Sequence, residues 1–115
     1  MPTLVRTLPR FETRLEALEK KFRNAIDQAE KFTKRLERGE RPGVVVPGVG
    51  AAVYRATLRN PAVRGGAPKG YRIVYYVITR DRIYLLTIYS KSQQRDISVA
   101  ELKQLVAGAQ ILHEP

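Results

Sequence analysis

A chain of 115 residues with 43% hydrophobic content, seven prolines and eight glycines fits one domain spanning residues 1–115 and is too small for a multidomain machine. It has no cysteine and its single histidine is His113, which excludes disulfides, thiolate metal sites and cysteine nucleophiles and disfavours a zinc centre, so no metal or cofactor is expected. Lys and Arg number 21 against 11 Asp and Glu, and a formal charge of +10 makes a polyanion the first partner to consider, nucleic acid ahead of an acidic protein or an anionic membrane.

Residues 3–8 alternate Leu4, Arg6 and Leu8 against Thr3, Val5 and Thr7, which predicts a strand. Pro9 stands where the first turn of a helix begins. From there Phe11, Leu15, Leu18, Phe22, Ala25, Ala29, Phe32 and Leu36 recur in alternating steps of four and three, with no glycine or proline between them. That stripe predicts a helix or helical hairpin laid on a sheet, favoured over a coiled coil because two of the positions are alanine. Glycines and prolines from Gly39 to Gly50 then predict a loop of about a dozen residues.

Residues 53–59 set Tyr54, Ala56 and Leu58 against Arg55, Thr57 and Arg59, a strand with both arginines outward. Residues 60–70 form an irregular basic loop, and its GGxxxG stretch lacks the ending of a P-loop. Residues 71–79 and 82–90 are nearly continuous β-branched and aromatic runs, a hairpin of central strands turning at Arg80 and Asp81. Ser98 with Glu101 three residues on is a capping-box spacing, opening a last helix that carries Leu102, Leu105 and Val106 and stops at Gly108. The order predicts an α+β fold: a small, mostly antiparallel sheet of about four strands, an N-terminal helix or hairpin and a short C-terminal helix, the helices covering one face. With no long apolar run and no signal-peptide pattern at the N-terminus, a cytoplasmic protein with no membrane partner is expected.

Charge is unevenly spread. Residues 1–42 carry 11 basic and 7 acidic side chains, the mixture of a solvated helix surface. Residues 43–96 carry nine basic side chains, Arg55, Arg59, Arg64, Lys69, Arg72, Arg80, Arg82, Lys91 and Arg95, against only Asp81 and Asp96. Such uncompensated charge suits a phosphate backbone. Arg55, Arg59, Lys69, Arg72 and Lys91 would converge if their strands are neighbours, whereas a lone Arg72 would more simply pair with Asp81 or Asp96. All six tyrosines fall in or beside strands, where most serve as strand formers with a polar tip; Tyr71 and Tyr89 flank basic residues and are the candidates for stacking on bases.

Residues 70–91, GYRIVYYVITRDRIYLLTIYSK, follow a glycine-rich basic loop and lead through a polar link into the last helix. This pattern, extending over about residues 48–106, resembles the RelE/ParE superfamily of bacterial type II toxins, in particular its HigB-like and RelE-like mRNA interferases. The resemblance implies a RelE-like fold and a metal-independent, ribosome-dependent endoribonuclease that cuts mRNA in the A site, inhibits translation and is neutralised by an antitoxin protein. It implies catalytic roles for Arg72, the arginine of the GYR motif, for Lys91 and for Arg55, with Arg59 at a following basic position; the charge of the segment and the tyrosines beside it add Arg64, Lys69, Tyr71, Tyr89 and Arg95 to Arg59 as candidate RNA contacts. Thr57, Ser92 and Ser98 stand where some members have basic or tyrosine residues. A ParE-like inhibitor of DNA gyrase shares the fold, and a non-catalytic nucleic-acid-binding module is the third reading.

Overall fold

The computed structural model describes residues 3–94 and 96–113. Strand β1 (Leu4–Thr7) precedes helices α1 (Pro9–Phe22) and α2 (Ala25–Glu37). A two-residue strand β2 (Val44–Val45), β3 (Val53–Leu58) and a 3-10 turn (Ala67–Lys69) follow, then the hairpin β4 (Tyr71–Thr79) and β5 (Arg82–Ser90), and finally α3 (Val99–His113). The architecture is the α+β one expected, and both hairpin strands have their expected bounds.

The sheet has five strands rather than about four, in the order β1-β5-β4-β3-β2, antiparallel except where β1 runs parallel to β5. The additional strand is β2, too short for alternation to show in sequence. It pairs Val44 with Arg55 and Val45 with Tyr54. The approach depends on Gly43, whose φ is +93 and where a Cβ would lie 2.2 Å from the Arg55 carbonyl oxygen.

The N-terminal stripe is a helical hairpin. Pro9 pre-sets the first turn of α1, and Arg23 ends it in the left-handed region at φ 62, its N–H donating to the Glu19 carbonyl at 2.9 Å. The four-three repeat runs through this break because both helices face the same side of the sheet. Phe11, Leu18, Ala25, Ala29, Phe32 and Leu36 are buried there against Ala56, Leu58, Tyr71, Ile73, Tyr75, Ile83, Leu85 and Ile88. Asn24 pins the corner: its side-chain carbonyl accepts from the Tyr71 hydroxyl at 2.6 Å and its amide donates to Asn60 Oδ1 at 2.9 Å. With Asn24 so occupied, the Glu19 carboxylate accepts the Ile26 N–H at 2.8 Å in the first turn of α2.

Helix α3 corrects the expectation that all helices cover one face. Leu102, Val106 and Ala109 pack on the opposite side, against Val53, Val74, Tyr76, Tyr84, Leu86 and Tyr89. Central strands that are apolar on both faces need cover on both. A bulge where Val74 and Tyr75 pair with Thr87 and Leu85 keeps Leu85 and Ile88 on the hairpin side and Leu86 and Tyr89 on the α3 side. Ser98 Oγ accepts the Glu101 N–H at 3.1 Å, as the capping spacing predicts. The helix does not stop at Gly108, because Ala109 extends the buried stripe and Gln110 donates to the Tyr76 hydroxyl at 3.2 Å. These contacts outweigh the cost of about 1 kcal/mol for an interior glycine. Among the described residues no helix is long and apolar enough to cross a membrane.

Candidate nucleic-acid interface

On the α3 side of the sheet the cover is incomplete, and the open end carries the basic residues. Thr57 of β3 lies opposite Arg72 of β4, which lies opposite Tyr89 of β5; in the next row Arg55 is opposite Val74 and Val74 opposite Thr87. Alternation puts Arg55, Thr57, Arg72 and Tyr89 on the face that Val74 and Tyr76 share with α3, and Thr57 there is exposed. Lys91 follows directly on β5 and is held beside the start of β4 by its N–H, which donates to the Gly70 carbonyl at 3.0 Å. Gly70 itself is required sterically: a Cβ would come 2.0 Å from the Leu58 carbonyl oxygen. The glycine of GYR therefore lets the end of β3 approach β4 and brings Arg59 towards Arg72.

Asp96, in the link between β5 and α3, ties the cluster together. Its Oδ1 accepts from the Tyr89 hydroxyl at 2.8 Å and from Lys91 Nζ at 3.3 Å, while Oδ2 lies 3.4 Å from Arg55 Nη1. The hydrogen bond from Tyr89, with smaller contributions from Lys91 and Arg55, holds the Asp96 carboxyl below its ordinary range. Burial, reinforced by the bond to Asp96, pushes the Tyr89 phenol up to about 12. Asp96 is thus ionised and Tyr89 protonated at neutral pH.

Arg72 is paired with neither Asp81 nor Asp96. Its Nη1 donates to the Ala67 carbonyl and its Nη2 to the Pro68 carbonyl, both at 3.2 Å, so the guanidinium clasps the 3-10 turn. Asp96 is committed to other donors, and Asp81 sits in the β4–β5 turn at the far end of the strand. Arg59, Arg64 and Lys69 are exposed along the 59–70 segment and make no ion pair among the described residues.

Not every expected contact residue joins this surface. Tyr71 points to the opposite face, fully buried in the hairpin core with its hydroxyl on Asn24, so no base can stack on it. Tyr89 is on the right face, but its ring is packed under α3 and only its hydroxyl takes part. Arg80 and Arg82 lie at the β4–β5 turn, away from the cluster. Arg95 falls outside the described residues.

Asp96 is the participant that sequence reasoning did not place, having considered it only as a partner for Arg72. Its signal was its isolation: with Asp81 it is one of two acids among nine bases. Among the described residues no three metal-ligating side chains converge. A groove of about 460 Å³, floored by Phe11, Leu15, Ile26 and Leu85, lies between α1 and α2 on the other side of the sheet, remote from this chemistry. No family model matches the chain.

Proposed function

We propose that this protein is the toxin of a type II toxin–antitoxin pair, a metal-independent and ribosome-dependent mRNA endoribonuclease that acts in the cytoplasm. The observation that carries the reading is the convergence of Arg55, Arg72 and Lys91 at one open end of one sheet face. The resemblance of residues 70–91 to RelE/ParE toxins supports it, as does the order of strand, two helices, four strands and helix.

Metal-free cleavage uses the 2′-hydroxyl next to the scissile phosphate as nucleophile and expels the 5′-oxygen of the following nucleotide. Negative charge grows on the phosphorus oxygens in the transition state, and fixed cations stabilise it there more than in the ground state. Arg72, Arg55 and Lys91 fill that role, with Arg59, Arg64 and Lys69 holding flanking phosphates. Asp96 is a poor proton acceptor, since its carboxylate is held below its ordinary range and already accepts from Tyr89 and Lys91 beside its ion pair with Arg55. The protein therefore contributes charge neutralisation, and the ribosome contributes alignment of the 2′-hydroxyl.

The clasp of Arg72 on the 3-10 turn favours a second reading, a binding module in which Arg72 is structural. Primer extension on a translated mRNA separates the two. Arg72→Ala is expected to lower cleavage by about 100- to 1,000-fold while ribosome binding changes little. Arg72→Lys restores activity only in part, because an ammonium cannot reproduce the guanidinium fork. A folded Arg72→Ala protein that cleaves at the wild-type rate refutes the catalytic assignment and leaves the gyrase-inhibitor or binding-module reading. Loss of cleavage, binding and melting temperature together assigns Arg72 to the fold.

A further inference from the structure

We propose that the Asp96 carboxylate occupies a phosphate subsite built from Arg55, Lys91 and the Tyr89 hydroxyl, and that a phosphodiester of single-stranded RNA binds there by displacing it. The RNA ligand rests on the nucleic-acid reading above; cleavage is not assumed.

Three features support the inference. The donor set is a guanidinium, an ammonium and a hydroxyl, distributed over two carboxylate oxygens at 3.4, 3.3 and 2.8 Å. Two anionic oxygens that only accept hydrogen bonds are also what the non-bridging oxygens of a phosphodiester present. The donors, moreover, belong to the scaffold and the acceptor does not. Arg55 and Tyr89 are strand residues, and Lys91 is fixed through its backbone bond to Gly70, whereas Asp96 lies in the irregular link before α3 with its side chain 45% exposed. The carboxylate can swing away without breaking a helix or a strand. Finally, partly exposed ion pairs are individually weak, so an incoming phosphate displaces the carboxylate at modest cost. An internal competitor of this strength lowers apparent affinity in proportion to the time it occupies the site.

The proposal is tested on the full chain by fluorescence anisotropy with a short labelled single-stranded RNA at fixed salt, comparing wild type with Asp96→Asn. Asparagine removes the charge and keeps a carbonyl for Tyr89. Glu30→Gln serves as control: it makes the same change in net charge on α2, at a residue with no ion pair among the described residues. Asp96→Asn is expected to tighten binding by roughly three- to thirtyfold, the equivalent of two partly exposed ion pairs, and by more than Glu30→Gln does. In an Arg55→Ala background the gain should shrink to that of the remaining Lys91 pair, since the vacated subsite has lost its guanidinium. Asp96→Asn binding no tighter than Glu30→Gln overturns the proposal and makes Asp96 a strap that positions the link before α3. A gain that is undiminished without Arg55 overturns it as well. Because the readout is binding, a protein that cleaves no mRNA can still show the gain, and the nuclease reading then fails alone.

Discussion

Tyr71 and Tyr89 lie on opposite faces of the sheet, and burial is the main reason that both phenols are pushed up to about 12. Tyr75 is shifted the same way, its hydroxyl spent on the Pro42 carbonyl at 2.6 Å. In an unfolded chain these groups ionise near pH 10. Between that value and about 12 the unfolded chain binds fewer protons than the folded one, so stability falls as pH rises; below about pH 10 the full contribution is present. For Tyr71 the gap corresponds to about 3 kcal/mol. The urea midpoint should therefore decline steadily from about pH 9.5 to about pH 11.5, and less steeply in Tyr71→Phe. A midpoint that stays level over that range in the wild type contradicts the assignment. Asp96 acts in the opposite sense: its contribution is present above the ordinary carboxylate range and is lost as pH falls through its lowered value.

At the scale of elements, two boundaries depended on contacts rather than on local preference. The α1–α2 break at Arg23 and Asn24 carries no glycine or proline; it forms because a left-handed arginine closes α1 and because Tyr71 and Asn60 hold the Asn24 side chain. Conversely, Gly108 reads as a stop and lies inside α3, where Leu102, Val106 and Ala109 hold the helix against the sheet. Gly108 keeps the helical sign of φ, and a Cβ there would meet nothing within 4 Å. Gly108→Ala should then stabilise the protein by about 0.5 to 1 kcal/mol, read as a higher urea midpoint with unchanged slope. A destabilised variant would mean that this helix surface is less open than the structure has it.

For the whole molecule, folding sorts the eight described basic residues of the 43–96 segment into two ends. Arg55, Arg59, Arg64, Lys69, Arg72 and Lys91 belong to the open sheet end or the loop beside it, while Arg80 and Arg82 occupy the opposite turn. If the first group grips RNA, log affinity falls linearly with log salt, by about 0.7 for each phosphate neutralised on a single strand. Four to six such contacts predict a loss of roughly 50- to 300-fold between about 50 and 200 mM salt. Arg59→Ala should flatten that slope by about 0.7, whereas Arg80→Ala combined with Arg82→Ala should leave it nearly unchanged. Equal effects from the two ends would show that binding is diffuse rather than centred on the cluster.

What the sequence determined by itself were the features with a strong local period or a strong local charge. The four-three stripe from Phe11 to Leu36, the two apolar runs that became β4 and β5, the Ser98 cap and the excess of cations between residues 43 and 96 were all legible, because each is written in neighbours a few positions apart. Tertiary structure decided which face each side chain joined. Tyr71 and Arg72 are adjacent in the chain, yet alternation sends one into the hairpin core and the other to the open surface. Whether β2 forms depends on the close approach that Gly43 allows, and which side α3 covers depends on the second apolar face of β4 and β5. Asp96 reaches Arg55 only because β3, β4 and β5 lie side by side and the link after β5 folds back over them. No pattern in a linear sequence encodes such a contact between residues 41 positions apart, since the register of three strands has to be set first.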